Sequence, residues 1–323
     1  MKKILGIGSA LVDILTRIDD DEILNRLGLP KGSMQLVTAD EAEAINKTLS
    51  ATYMAAGGSA ANTISGLAKL GAEAAFLGVV GDDYLGRFFE KEMIETGVVP
   101  MLVKSTTSPS GRAQAIVTKD SERTFATYLG ASQELSKEHI TPEKLEGWDI
   151  FYVEGYLVSN PAMLDHALKT ASDKGMNIAI DLASYNVVSE NREYLLDIIR
   201  NRANIVFANE EEARALTGME PEDALNYIAS MCDIAIVKTG KKGALAKHGD
   251  LTVSIAPVEA NVIDTTGAGD MFAAGFLWGL INEKTLQQCG DIGSLLAANI
   301  IEVTGAKMDE ERWKKIFQII DKM

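Results

Sequence analysis

The chain contains little cysteine, few aromatic residues and a deficit of positive charge. Its 323 residues include only two cysteines, Cys232 and Cys289, which lie far apart and form no CxxC motif, so the sequence predicts a reduced, cytoplasmic protein. The 46 acidic residues outnumber the 31 basic ones, and no segment concentrates lysine and arginine. The formal net charge of −15 therefore argues against nucleic acid or an anionic membrane as a partner.

Motifs of several common enzyme classes are also missing. No apolar run reaches membrane-spanning length, and the N-terminal segment 1–8 is typical of a buried strand rather than a signal peptide. The P-loop sequence GxxxxGK[ST] and the serine-hydrolase sequence GxSxG are both absent. Leu11 stands where a dinucleotide-binding fingerprint beginning at Gly6 has its third glycine, so a Rossmann dehydrogenase is the weaker interpretation. The histidines are scattered without metal-ligand spacing.

The later two-thirds of the chain alternates short apolar, β-branched runs with amphipathic segments. We predict strands at 150–153, 177–181, 205–208 and 234–237, and helices at 161–174, 189–202 and 210–217. This alternation is typical of βαβ units and predicts an α/β fold with a mostly parallel sheet and helices on both faces. Ligands of such sheets bind beyond the carboxyl ends of the strands.

Two regions depart from this alternation and predict a second sheet. Short segments within them have a period of two, which indicates strands with one exposed face. We expect a small β-sheet lid of residues 13–54 and 99–130 that covers a site on a main α/β domain of residues 1–12, 55–98 and 131–323. Surface hairpins without a role in binding are the alternative.

A glycine-containing turn precedes a carboxylate at residues 264–270, which read Asp264-Thr265-Thr266-Gly267-Ala268-Gly269-Asp270. The two glycines leave the backbone free to point N–H groups at one spot, and the apolar run that follows predicts a helix whose positive end points there too. A phosphate fits such a turn. Asp270 is itself an anion, so we interpret it as a base that accepts the proton of a hydroxyl attacking that phosphate. An ordinary glycine turn with an aspartate at a helix start is the alternative.

A second pair of glycines opens another predicted helix. Gly57 and Gly58 let a ligand approach the backbone closely, and the amide of Asn62, one turn further on, offers both a donor and an acceptor. Asp13, just beyond the first strand, is a carboxylate that could hold two adjacent hydroxyls of a sugar. A tight turn and an exposed loop aspartate are the alternatives.

Two further loops follow predicted strands. Lys238-Thr239-Gly240-Lys241-Lys242-Gly243 offers backbone and hydroxyl groups to phosphates or ribose. Asn209 and Glu212 lie three residues apart, so they share one face of a helix and present oxygen ligands for hydrated magnesium. Surface lysines and solvated acids at a helix start are the alternatives.

Taken in order, these elements resemble the PfkB carbohydrate kinase family, which includes ribokinase, adenosine kinase and fructokinases. Segments 57–62 and 78–86 resemble the first signature of the family, and 264–270 resembles the second. Asn209 and Glu212 match its NxxE element, and 238–240 matches its nucleotide loop. The resemblance spans almost the whole chain.

The resemblance implies a ribokinase-like three-layer α/β/α fold with a small β-sheet lid, and an enzyme that uses ATP and Mg²⁺. By position it implies a catalytic group of Asp270 with the amides of Gly267, Ala268 and Gly269. It implies that substrate hydroxyls contact Asp13, Gly57, Gly58 and Asn62. It implies a nucleotide site of Asn209, Lys238, Thr239, Gly240, Gly243 and Asn299. It implies metal ligands at Glu212, for magnesium through water, and at Asp264 and Thr266 for the K⁺ that many members bind.

Three segments, 31–34, 123–131 and 152–157, are similar to bacterial proteins called adenosine kinases. Three side chains of the expected lid suit either stacking on a purine or packing of the lid itself, namely Met34, Phe125 and Tyr128. Arg112 suits either an acidic or phosphorylated substrate or a surface carboxylate. The edge of the lid is where we expect any homodimer to form.

We therefore predict an ATP-dependent kinase that acts on a primary hydroxyl of a nucleoside or sugar. The first alternative is a sugar kinase of the ribokinase, fructokinase or keto-deoxygluconate kinase type. The second is a non-catalytic protein that binds a nucleoside or sugar.

Overall fold

The computed structural model describes residues 2–120 and 122–323, and for Met34 it describes the backbone alone. The strands of this part of the chain are β1 Ile4–Ile7, β2 Leu11–Arg17, β3 Met34–Leu36, β4 Tyr53–Gly57, β5 Ala74–Gly81, β6 Val99–Ser105, β7 Gly111–Val117, β8 Arg123–Tyr128, β9 Ile150–Glu154, β10 Asn177–Asp181, β11 Ile205–Asn209, β12 Ile234–Lys238, β13 Ala244–His248 and β14 Leu251–Ile255. The helices are α1 Glu22–Arg26, α2 Ala39–Thr48, α3 Ser59–Lys69, α4 Tyr84–Thr96, α5 Pro161–Asp173, α6 Tyr185–Glu190, α7 Arg192–Asn201, α8 Glu210–Thr217, α9 Pro221–Ala229, α10 Ala268–Ile281, α11 Leu286–Ile300 and α12 Glu310–Ile320. Across these described ranges, no helix combines the length and apolar character that a membrane span requires.

The larger sheet has nine strands among the described residues, in the order β14-β13-β12-β11-β10-β9-β1-β5-β6. From β12 to β6 all neighbours are parallel, whereas β13 and β14 are antiparallel additions at one edge. The central strands are buried along their whole length because helices cover both faces. α3 and α10 pack on one face through residues such as Ile64 and Phe276, and α5 and α7 pack on the other through Leu164 and Ile199. The predicted three-layer α/β/α architecture is confirmed.

The smaller sheet has five strands in the described part of the chain, in the order β3-β8-β7-β2-β4. α1 and α2 cover one face, where Leu24, Ile45 and Ile116 belong to a separate apolar cluster. The other face includes Ala113 and Phe125 and lines a cavity that it shares with the loop before α10. The smaller sheet therefore contributes one wall of the candidate site.

Two strands, β6 and β4, do not belong to the sheet that the sequence predicted for them. β6 falls in the expected lid segment 99–130, but it pairs in parallel with β5 at the edge of the larger sheet. β4 falls largely in the expected main domain, but it pairs with β2 in the smaller sheet. An edge strand is half exposed like a strand of a one-sided sheet, so its local pattern does not reveal which sheet it joins.

The carboxyl ends of four adjacent parallel strands carry polar residues. β9 ends at Glu154, β10 at Asp181, β11 at Asn209 and β12 at Lys238. Because parallel strands finish at the same edge of a sheet, these side chains lie along one line. The N-terminal end of α10 lies beside this line, since the Nζ of Lys238 would be 3.2 Å from a Cβ built on Gly269.

Candidate active site

Asp270 lies in the first turn of α10, and two side chains from the start of α3 hold its carboxylate. Ser59 Oγ donates to Oδ1 at 2.7 Å, and Asn62 Nδ2 donates to Oδ2 at 2.9 Å. α3 can begin here because Gly58 has a φ of +100°, and any Cβ at this position would collide with the carbonyl oxygen of Ser9. The carboxylate of Asp270 is therefore fixed in position by two donors.

Burial raises the pKa of Asp270 to about 6, against the lowering effect of the hydrogen bonds from Asn62 and Ser59. A carboxylate of this pKa is mostly ionised at neutral pH and basic enough to accept a proton, as a general base requires. Burial, and then the charge of Asp270, raise the pKa of Asp13 to about 7. Two carboxylates that repel each other in a buried space favour a ligand that donates hydroxyl protons to them.

The backbone before α10 offers N–H groups to an anion. Gly267 caps this fourteen-residue helix with a φ of +76°, a conformation that favours glycine. Within the described residues, no protein acceptor bonds to the N–H groups of Gly267 and Gly269. The N–H of Ala268 donates to the Thr265 carbonyl at 3.2 Å, so this amide already has a partner, unlike the prediction. Two free amides and the positive end of the helix make an anion site.

Asp264 lies in the loop before α10, where donors of this chain surround its carboxylate. Thr266 donates to Oδ1 through its N–H at 3.0 Å and its Oγ at 2.8 Å, and the Gly305 N–H donates to Oδ2 at 2.6 Å. Arg123 from β8 forms an ion pair with Oδ1. Burial by itself raises the pKa of Asp264, but the bonds from Arg123, Gly305 and Thr266 lower it overall. The charge and both oxygens are already matched, so in this conformation Asp264 and Thr266 do not fit a potassium ion.

Asn209 and Glu212 meet at the start of α8, as predicted, in a reciprocal cap. The Glu212 N–H donates to Asn209 Oδ1 at 2.8 Å, while the N–H and Nδ2 of Asn209 donate to the Glu212 carboxylate at 2.8 and 2.6 Å. Burial, and then the charge of Asp181, raise the pKa of Glu212 to about 7. Asn209 thus orients Glu212. The carboxylates of Glu212 and Asp181 lie close enough for their negative charges to repel each other.

Lys238 is held by a residue that the sequence analysis did not single out. Its Nζ donates to Asp181 Oδ2 at 2.9 Å, and the Ala183 N–H donates to Oδ1 at 3.1 Å. Ala183 has a φ of +69°, which residues other than glycine rarely adopt and which marks a constrained loop after β10. No group of three or more potential metal-binding side chains occurs in the described ranges. Asp181 and Glu212 nevertheless suit Mg²⁺, which commonly takes one or two carboxylates together with water and phosphates.

The predicted substrate residues come together around Asp13 and Asp270. Asp13 lies within β2 rather than in an exposed loop, and a Cβ on Gly57 would collide with its carboxylate. Glycine at position 57 therefore makes room for Asp13. Gly58 and Asn62 act on the same space by starting α3 and by holding Asp270.

The predicted nucleotide residues divide into two groups. Thr239, Gly240 and Gly243 form a tight turn directly after Lys238, closed by the Thr239 N–H donating to the Gly243 carbonyl at 2.8 Å. This turn lies at the same edge of the sheet as Asp181. Asn299 lies in α11, where it donates to the Leu295 carbonyl at 2.9 Å and accepts from Arg312 Nη1 at 3.4 Å.

The side chains of the smaller sheet have different surroundings. Phe125 lines the cavity that also contains Asp13. Arg112 lies over the Tyr128 ring, 6.0 Å from its centroid, and its Nη2 is 3.7 Å from the Glu43 carboxylate on α2. Arg112 therefore has the surface-carboxylate partner that was one of its two predicted alternatives. The side chain of Met34 lies outside the described residues.

Four residues of the site were not assigned a role from the sequence. Ser59 and Arg123 contact the carboxylates of Asp270 and Asp264, and Asp181 contacts Lys238. Glu154 is buried and accepts from the Ala60 N–H at 3.0 Å, which ties the end of β9 to the start of α3. Asp181 and Glu154 each end a buried strand. An acidic residue at the carboxyl end of a strand was a sequence signal that could have predicted a site residue. Ser59 and Arg123 had no comparable signal.

Comparison with known proteins identifies the family. The family model described as pfkB family carbohydrate kinase matches residues 32–313. The chain belongs to this family. It is therefore a kinase, a phosphotransferase that acts on an alcohol group, and its fold is ribokinase-like.

Solved structures resemble the kinase over nearly its whole length. A crystal structure of adenosine kinase from Sinorhizobium meliloti is 35% identical with a TM-score of 0.87, covering 98% of this chain and 99% of that one. A probable sugar kinase from Rhizobium etli is 34% identical with a TM-score of 0.87, covering 98% of both chains. A nucleoside kinase from Methanocaldococcus jannaschii is 28% identical over 271 residues, which are 82% of this chain and 85% of that protein. These relatives include both nucleoside and sugar kinases.

Proposed function

We propose that this kinase transfers the γ-phosphoryl group of ATP, with Mg²⁺, to a primary hydroxyl of a nucleoside. The observation that carries the proposal is the Asp270 carboxylate, which Ser59 and Asn62 fix beside the free N–H groups at the start of α10. A base and an anion site at one helix terminus suit in-line phosphoryl transfer.

The residues divide the chemistry between them. Asp270 accepts the proton of the acceptor hydroxyl as that oxygen forms a bond to the γ-phosphorus. The bond from this phosphorus to the bridging oxygen breaks, and its electron pair leaves on ADP. The N–H groups of Gly267 and Gly269 bind the developing negative charge. Asp181 and Glu212 are the residues that would hold magnesium, which neutralises phosphate charge when bound.

The cavity that Asp13 lines supports a nucleoside as the acceptor. Asp13 offers two carboxylate oxygens to the adjacent hydroxyls of a ribose ring. Leu15, Tyr53 and Phe125 line the same cavity, and a flat apolar base would pack against them. The adenosine kinase and nucleoside kinase relatives agree with this choice. A free sugar is the second candidate because an uncharacterised sugar kinase from Archaeoglobus fulgidus is 28% identical over 243 residues, 75% of this chain and 96% of that protein.

An ADP-release assay over adenosine, other nucleosides, ribose, fructose and keto-deoxy sugars tests the proposal. We expect the highest kcat/KM with a nucleoside, and a loss in kcat on the order of 10²–10⁴-fold for Asp270→Asn with nucleotide binding retained. Asp173→Asn, which changes an exposed carboxylate of α5, is the matched control. A sugar as the best acceptor would refute the nucleoside assignment, and an active Asp270→Asn enzyme would refute the assignment of the base.

A further inference from the structure

Lys238 is a buried cation at the centre of the site. Its side chain is 15% exposed, and that of its partner Asp181 is 7% exposed. The Nζ would lie 3.2 Å from a Cβ on Gly269, so the ammonium lies against the turn that offers free N–H groups to an anion. The ion pair with Asp181 alone does not explain why the ammonium lies against the turn at Gly269.

The charges around Lys238 do not balance. Two carboxylates, Asp181 and Glu212, adjoin one ammonium, and the carboxylate of Asp270 acts on Lys238 as well. Among the described residues, Asp181 has no cation other than Lys238 within ion-pair distance, and Glu212 has none. The cluster is therefore short of positive charge before any metal binds, and Lys238 occupies the Asp181 oxygen that a cation would use.

We propose that Lys238 exchanges partners during the catalytic cycle. In the empty enzyme its ammonium pairs with Asp181. When ATP and magnesium bind, Asp181 releases the ammonium and would hold magnesium instead, and the ammonium binds a non-bridging oxygen of the transferred phosphoryl group. This inference rests on the proposed phosphoryl transfer. Lys238 then acts as a catalytic residue, because it neutralises charge on the reacting group. The pair with Asp181 places the ammonium within reach of that group before the nucleotide arrives.

The exchange predicts opposite effects of one substitution on metal binding and on catalysis. Lys238→Met removes the cation that competes for Asp181, so Mn²⁺ should bind the nucleotide-free protein about tenfold more tightly. The same variant lacks the phosphoryl contact, so kcat should fall on the order of 10²-fold while the KM for ATP changes little. Lys238→Arg keeps the charge and should recover part of kcat.

Electron paramagnetic resonance of free Mn²⁺ measures metal binding without nucleotide or turnover, with Lys169→Met as the matched control from an exposed Lys–Asp pair on α5. Thermal unfolding of each variant verifies that it is folded. If Lys238→Met binds Mn²⁺ no more tightly than the natural protein, the exchange is refuted, whatever the activity. If it binds more tightly and the natural protein phosphorylates no acceptor, the exchange at Asp181 stands and the proposed function fails. Unchanged kcat in Lys238→Met refutes the phosphoryl contact. If kcat falls, its partial recovery in Lys238→Arg distinguishes a lost charge from misfolding.

Discussion

Ser59→Ala should make Asp270 a stronger base that is ionised only at higher pH. The Ser59 Oγ donates to Asp270 Oδ1 at 2.7 Å and, with Asn62, limits the rise in pKa that burial causes, so that the pKa is about 6. A hydrogen bond to a charged group contributes about 1.4 kcal/mol or more, and this energy corresponds to about one pKa unit. The variant should therefore have an Asp270 pKa of about 7, with Asn62 as the remaining side-chain donor.

The loss of activity in Ser59→Ala should be large at low pH and small at high pH. At pH 5.5 the ionised fraction of Asp270 should fall from about one quarter to about 3%, so kcat/KM should be about eightfold lower than in the natural enzyme. At pH 9 the carboxyl is ionised in both proteins, and the two rates should nearly converge. Asp13 titrates in the same range and its pKa depends on the charge of Asp270, so the two carboxyl groups titrate as a coupled pair in both proteins.

A pH profile of kcat/KM, with the acceptor varied, is the measurement. Ser65→Ala is the control, because Ser65 lies on the same helix and its Oγ contacts Met93 instead of Asp270. The control should follow the natural profile. A loss for Ser59→Ala that is uniform at every pH, or a profile with an unmoved acid limb, would show that Ser59 does not set the basicity of Asp270.

Two stability predictions follow from the same carboxylates. The folded state raises the pKa of Asp270 from 3.8 to about 6, so its favourable contribution is present at low pH and is lost as the pH rises through about 6. Asp270→Asn should therefore be more stable than the natural protein at pH 8, by up to about 3 kcal/mol, and urea unfolding at pH 4 should find little difference. Arg123→Met leaves buried Asp264 without its ion-pair partner and should cost about 3–5 kcal/mol in urea unfolding, much of which Arg123→Met with Asp264→Asn should recover. Additive losses in that double variant would contradict the pairing.

Local pattern was sufficient for some of the strands and helices of the larger sheet and its flanking layers. The strand at 177–181 and the helix at 210–217 were predicted with the bounds that the structure has, because buried β-branched runs and caps are local signals. β6 was assigned to the wrong sheet for the opposite reason. Its half-exposed pattern is the same at the edge of either sheet, and only its pairing with β5 decides between them.

The candidate site was predictable where its residues cluster in sequence and not where they meet in space. The sequence of the turn at 264–270 was enough to predict an anion site and a base next to each other. The pairs Lys238–Asp181 and Arg123–Asp264 join segments far apart in the chain. A surface lysine was one of the two interpretations of Lys238, and Arg123 was given no role. Their partners were fixed by the order of strands and by the approach of the smaller sheet, which no short segment encodes.

A single glycine separates the smaller sheet from the donors that hold the base. β4 ends at Gly57, α3 begins at Ser59, and Gly58 alone lies between them. β4 pairs with β2, the strand that carries Asp13. The strand that pairs with β2 and the serine that donates to Asp270 are therefore consecutive parts of one segment, joined by a single residue. In the proposed reaction, an acceptor bound at Asp13 is therefore linked through this one segment to the hydrogen bond that Ser59 makes with Asp270.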